Sequence, residues 1–364
     1  MENNAFLIST ALNFNISDRR IDYKTFSILH IIEHCFVSYL IRQNNDYRIY
    51  SRISGKTNNY NLNIEINTLT TLNRLTAQDN IWNNFISNFC FDCTLFDEQK
   101  ENVIQEIKNN FSSYKKNLIT INNIISIESI IYPSLAQIKE INYGEFIKEY
   151  NELLLTERYI STCYGQNSLI TDVSKSKVKN APVSVTNYKS IYRVNTDDSS
   201  GNWLMFLFKK TNTVDEYISK EITLNCFNYI LKCYLKENKS EFMIVSKSND
   251  NIASYLLIKI DDQYFCQEKL INFMSEEKLA YILTEEIYLN IVDDFRISFM
   301  FLMESCRSRN GMIQKLYSCF GELPKEKTNI DIEKYLYGKD RIGVINRIIN
   351  TFDKTIKIIF SDKS

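Results

Sequence analysis

The chain has 364 residues, 44% of them hydrophobic, and a formal net charge of −1. That length supports two domains of ordinary size or one large one. Its charges are spread along the chain, which argues against the basic stripe of a nucleic-acid binder, and no apolar run reaches the roughly 20 residues that span a bilayer.

In chain order, Ala5 to Ile16 alternates apolar and polar residues and predicts a strand. Tyr23 to Arg42 is apolar at helical spacing. Arg48 to Ile53 and Tyr60 to Leu69 predict strands on either side of Gly55. Ile81 to Phe91 and Glu98 to Phe111 predict helices. Tyr143 to Leu155 predicts another, followed by a strand, Arg158 to Tyr164, that stops at Gly165. Residues 166–187, rich in Ser, Asn, Lys and Val, read as a linker. The order then restarts: strands at Ser190 to Val194 and Trp203 to Phe208, a helix over Glu216 to Leu235, and strands at Phe242 to Ser246 and Ser254 to Ile260. Helices fill Glu268 to Phe320 and Arg341 to Phe352, before a last strand, Thr355 to Phe360. The expectation is an α+β fold of two similar α/β domains, each a mostly antiparallel sheet covered by helices. The boundaries are 1–167, a linker over 168–187, and 188–364.

The N-terminus lacks the positive region of a signal peptide, and the cysteine count, nine, is odd. Reduced thiols in a cytoplasmic protein are the expectation. Cys90-Phe91-Asp92-Cys93 is a CxxC that could be a redox pair or half of a zinc site. No second CxxC lies near it, so packing is the preferred reading. With eight Gly and neither a GxGxxG nor a Walker pattern, nucleotide cofactors lose their support.

His30-Ile31-Ile32-Glu33-His34 carries the chemistry. Two histidines four apart on a helix lie on one face, one turn apart, where they can share a metal ion. Glu33 projects near that face and can reach a water that zinc acidifies, which is the role of the Glu in an inverted zincin motif, H-x-x-E-H. Both histidines of the whole chain fall inside these five residues. A third ligand, normally a carboxylate in a peptidase, is still needed. Glu106 lies beside the apolar stripe Val103, Ile107, Phe111, with Glu98 and Glu101 as competitors.

This motif resembles that of the insulinase/pitrilysin metallopeptidases. Gly55-Lys56-Thr57-Asn58-Asn59-Tyr60 is similar to the family's Gly-Gly-x-x-Asn-Ala segment, and Phe96 to Ile107 to the helix that carries its glutamate ligand. Ile141 to Tyr150 resembles the segment before the last strand of the first domain. The resemblance covers residues 5–165 and implies a zinc metalloendopeptidase with Zn2+ on His30, His34 and Glu106 and with Glu33 as the catalytic base. It implies peptide-substrate contacts at Asn59 and Tyr60. A two-domain chain of this type would be half of a clam-shell peptidase chamber. It would work on short or unfolded peptides, as in the maturation of leader or precursor peptides. Its partner would be a second peptidase-like subunit, in a heterodimer or alternatively a homodimer, supplying an Arg/Tyr pair; nucleic acid and membrane are not expected partners. Three departures stand out. The spacing from His34 to Glu106 is shorter than usual, the position of an auxiliary glutamate is Gln99, and no convincing Arg/Tyr pair occurs, Arg309 and Tyr317 being the nearest by type. A short hairpin after Asn59 accounts for the spacing; the missing pair and Gln99 favour the alternative of a non-catalytic subunit that binds peptide or completes the chamber.

Overall fold

The computed structural model describes residues 6–17, 21–43, 51–58, 60–70, 75–110, 135–174, 191–196, 201–209, 211–238, 242–249, 254–260, 267–321, 336, 340–352 and 355–362. They fall into two compact units. The expected mixture of helices and mostly antiparallel sheets is what the chain forms.

In the first unit, five antiparallel strands stand in the order β2-β3-β1-β4-β5: β1 (Phe6–Asn15), β2 (Ser51–Thr57), β3 (Asn61–Thr70), β4 (Glu157–Tyr164) and β5 (Asn167–Ser174). Leu12 of β1 stands opposite Ile64 of β3 and Ile160 of β4. The two-residue period therefore sends Leu12, Phe14, Ile16, Leu62, Ile64 and Ile66 to one face. There they form one core with α1 (Tyr23–Gln43), α2 (Leu75–Asn88), α3 (Cys93–Asn110), the short α4 (Leu135–Glu140) and α5 (Tyr143–Leu153). Phe36 of α1 sits at its centre, ringed by Phe14, Phe85, Phe89, Phe91 and Tyr150. A capping box between Asn142 and Glu145 starts α5, satisfying two backbone donors that the first turn would otherwise leave open. The strand β5 occupies residues read from sequence as the start of a linker. It is bonded to β4 through a tight turn at Gly165, whose φ of +50° favours glycine.

The other face of this sheet is polar: Ser9, Asn13, Asn61, Asn63, Tyr159 and Ser161, all buried. It lies beneath α10 (Cys306–Phe320), a helix that the chain order had placed in the second domain. Asn63 Nδ2 donates to Gln314 Oε1 at 2.7 Å, and Asn310 Nδ2 to Ser9 Oγ at 3.0 Å. The Tyr159 hydroxyl lies 3.0 Å from the Gln314 carbonyl oxygen and 2.7 Å from Ser318 Oγ. Buried polar groups demand partners: α10 supplies them for Ser9, Asn63 and Tyr159, while Asn13 bonds to Ser161 and Asn61 within the sheet.

The second unit has its own sheet, β6-β10-β7-β9-β8, in which only the β10–β6 pair is parallel among those described. Its strands are β6 (Ile191–Thr196), β7 (Gly201–Phe208), β8 (Phe242–Asn249), β9 (Ser254–Ile260) and β10 (Thr355–Asp362). The long α6 (Val214–Glu237), capped by Thr213, follows β7 much as α1 follows β1. The helices expected over Glu268 to Phe320 are α7 (Gln267–Phe273), α8 (Glu276–Ile282), α9 (Glu285–Glu304) and α10. Ser275 and Thr284 provide the side-chain caps that start α8 and α9. The last helix, α11 (Arg341–Phe352), contributes Val344, Ile345 and Ile348 to the unit's buried residues.

Candidate metal centre

Helix α1 begins at Asp22, whose carboxylate accepts the Thr25 amide at 2.7 Å. Its apolar stripe, Ile28, Leu29, Ile31, Ile32, Cys35 and Phe36, is buried in the core. This fixes the helix's rotation and holds His30, Glu33 and His34 together at its edge. The two imidazole rings meet edge to face, their centroids 4.9 Å apart.

Helix α3 packs against α1 through Leu95, Phe96, Val103, Ile104 and Ile107. That stripe turns Glu106 toward the histidines. Its Oε2 lies 3.1 Å from His34 Nε2 and 3.8 Å from His30 Nε2. One donor atom from each of the three residues falls within 4.8 Å of the others, the only such His/Cys/Asp/Glu group among the described residues. The competing carboxylates are engaged elsewhere. Glu98 pairs with Arg42 at 2.5 Å, and Glu101 accepts from Gln105 at 2.7 Å.

Burial holds both histidines below the ordinary imidazole value, His30 down to about 4, partly offset by Glu106. They are therefore neutral near pH 7, the form that binds a metal. Two nitrogens and one carboxylate oxygen match the donor set of a catalytic zinc site. One feature weakens the match. His30 Nδ1 is buried with no partner among the described residues, whereas zinc-bound histidines ordinarily donate this N–H to an acceptor. Gln99 adds no charge: its amide bonds with Ser38, Glu98 and Asn102.

Glu33 is only 8% exposed, and that burial raises its pKa to about 7. Thr57 Oγ1 donates to Glu33 Oε2 at 2.7 Å. The β2 register puts Ile53, Gly55 and Thr57 on the helix side of the sheet, opposite Ile66, Ile64 and Leu62. A Cβ on Gly55 would collide with Glu33 Cγ and come within 2.7 Å of its Oε1. Gly55 is thus required for close approach rather than for an unusual φ. Thr57 went unremarked in the sequence; the alternation Ile53, Gly55, Thr57 beside the motif helix is the signal that could have found it.

Of the residues expected at the substrate, Asn59 lies outside the described residues. Tyr60 sits in the turn between β2 and β3. Its N–H donates to Asn58 Oδ1 and its carbonyl accepts from Ile16 N, so its backbone groups are already committed. Among the described residues, the edge of the sheet beside the centre is β2, which pairs there only with β3. Arg309 is fully buried, donating to the carbonyls of Met303 and Gly165, and Tyr317 packs edge-on against Tyr159. Neither is near the motif's helix in role or setting. Cys90 and Cys93, expected to pack, are both exposed, Cys90 on the link between α2 and α3 and Cys93 at the first residue of α3.

No protein-family model and no curated protein matches the sequence. Solved structures do. A protease from Helicobacter pylori superposes with a TM-score of 0.65 at 12% identity, over 99% of this chain and 95% of that one. The fold is that of the M16-like peptidases. An inactive M16 peptidase domain from Pseudomonas fluorescens gives 0.64 at 10% identity, over 98% and 93% of the two chains. The periplasmic protease PqqL from Escherichia coli gives 0.62 at 10% identity over 98% of this chain, which spans 43% of PqqL. At such identities the likeness concerns the fold alone. No helix among the described residues is long and apolar enough to cross a membrane.

Proposed function

We propose that this chain is a zinc metallopeptidase subunit that cleaves short or unfolded peptides. The observation that carries the reading is the meeting of His30, His34 and Glu106 within 4.8 Å, beside the buried carboxyl of Glu33, on an M16-like fold. His30, His34 and Glu106 would hold the ion. When bound, zinc supplies Lewis acidity toward a carbonyl oxygen and a water. Glu33, with a pKa near neutrality, takes the proton of the attacking water and returns it to the leaving amine. Thr57 and the bare backbone of Gly55 hold that carboxyl in place. The open edge of β2 pairs with a peptide backbone in extended form, which gives affinity with little sequence selectivity.

The substrates fit a maturation peptidase for leader or precursor peptides, working in the cytoplasm with a second peptidase-like chain that brings an Arg/Tyr pair. The absence of such a pair near the centre among the described residues motivates the partner, and eight described cysteines, none in a disulfide, fit the location. A second reading, a non-catalytic subunit of the same fold, is favoured by the unpartnered His30 Nδ1 and by the neutral Gln99. Bound zinc and peptide cleavage, measured with and without the partner, separate the two. Full activity in Glu33→Gln sinks the catalytic mechanism. A wild-type chain that binds no zinc sinks the metal assignment as well.

A further inference from the structure

Two thiols that play no part in the metal centre meet inside the first unit. Cys163 on β4 and Cys306, the first residue of α10, are both buried and share a small cluster with Ile313 and Ile170, separate from the main core. Both sides are held firmly. Cys163 stands between Ser9 of β1 and Ser168 of β5, and α10 is bonded to the same sheet through Asn310 and Gln314.

Arg309 joins them. Its guanidinium is fully buried, and its Nη2 lies 3.7 Å from Cys306 Sγ. Its other bonds go to the carbonyls of Met303, Gly165 and Asn167, all neutral. Burial raises the Cys163 thiol, while Ser168 and the same guanidinium pull it down. Cys306 Sγ also lies 3.5 Å from the Leu7 carbonyl oxygen and 3.7 Å from that of Gly165. Cys306 heads α10, whose N-cap, Ser305, makes no side-chain hydrogen bond.

We infer that Cys163 and Cys306 form a redox modification site, closing reversibly into a disulfide that fastens α10 to β4 when the chain meets a low-molecular-weight disulfide. Cys306 is the entry point, being 8% exposed where Cys163 is wholly buried. Its thiolate attacks one sulfur of the small disulfide, forms a mixed disulfide and expels a small thiolate. Cys163 then attacks Cys306 Sγ and expels the second small thiolate, which takes the Cys163 proton. The protein loses two electrons and two protons, and the small disulfide leaves as two thiols.

The site lies outside the metal centre, so its test needs no peptidase activity. The full chain is equilibrated with oxidised and reduced glutathione, alkylated, and digested with trypsin without reduction. Tryptic peptides 159–175 and 297–307 each hold one of these cysteines and no other. The expected product is the linked pair of these peptides, with a protein disulfide-to-dithiol ratio about tenfold or more above that of the urea-unfolded chain in the same glutathione buffer, because the fold raises the thiols' effective concentration. Cys163→Ser should stop at glutathione on Cys306, and Cys306→Ser should leave Cys163 unmodified. The inference is overturned if the linked pair forms at no ratio, or forms no more readily in the native chain than in the unfolded one.

Discussion

Replacing Gly55 with alanine tests how β2 and the motif helix fit together. The new Cβ would overlap Glu33 Cγ and come within 2.7 Å of Oε1, so one side must move. The strand has little freedom, because Gly55 is paired with Ile64 in the middle of the β2–β3 ladder. Glu33 must therefore swing, and in doing so it gives up the 2.7 Å bond from Thr57. Overpacking a tight site costs about 1–3 kcal/mol, and a lost bond to a charged group about 1.5–3 kcal/mol; partial relief of each leaves a net cost of about 2 kcal/mol. In a unit of this size that lowers Tm by roughly 4–8 °C. Trp82 is buried in the first unit and Trp203 in the second. Denaturation followed by Trp82 fluorescence in a Trp203→Phe background therefore reports the affected unit. The decisive measurement is the double-mutant cycle with Glu33→Ala, which removes the Cγ that the alanine would strike. There Gly55→Ala should cost almost nothing, or stabilise by about 0.5 kcal/mol, since a strand glycine carries an entropy penalty. Additive effects would refute the close-approach account of Gly55.

Glu106→Gln should abolish stoichiometric zinc binding at micromolar metal, while Glu98→Gln should leave it intact; elemental analysis of the purified variants checks both. Gln314→Ala removes the acceptor of Asn63 Nδ2. It should cost about 1–3 kcal/mol, shifting the Trp82 transition while the Trp203 transition stays in place. In the metal-free protein, burial raises the Glu33 pKa from 4.5 to about 7, so between these values the native state holds a proton that the unfolded chain has released. Stability from this group is complete below pH 4.5 and is lost as pH rises through 7. Glu33→Gln should therefore flatten that part of the stability–pH curve in chelator-treated protein, and an unchanged slope would contradict the raised value. At the surface, the Lys24 ammonium and the Asn142 amide hold Glu145 below the ordinary carboxylate value. Glu145→Gln should lower stability at pH 7 and match wild type once acid has protonated the native carboxyl.

What could be read in the sequence follows from how far apart the cooperating residues lie. The candidate ligands on α1, His30 and His34, sit within one helical turn, and the apolar stripe of α3, Val103 and Ile107, sets the direction of its neighbour Glu106. A periodic pattern plus one rare residue type was enough there. The strand β5 was missed because its residues, Asn167 to Ser174, mix polar and apolar side chains at a sheet edge, and β-propensity is weak evidence where only one side is paired. The second face of the first sheet was misleading for a deeper reason. Ser9, Asn13, Asn61, Asn63 and Ser161 alternate with the apolar core positions as though they faced water. They are dry because α10 lies over them, and α10 is itself polar where it touches: Arg309, Asn310, Gln314 and Ser318 are all buried. Reading periodicity marks such a helix as surface and such a sheet as half-solvated, and both inferences fail together. The clue is complementarity rather than hydrophobicity: Asn63 and Tyr159 find their partners on a remote segment, Gln314 and Ser318 of α10. A contact built this way stabilises less than an apolar one of equal area but tolerates fewer alternatives, because any slip of α10 along the sheet strands several buried polar groups at once. The register that joins Tyr159 to Ser318 at one end and Cys163 to Cys306 at the other is thus set by hydrogen bonds, and it is the same register that brings the two thiols together.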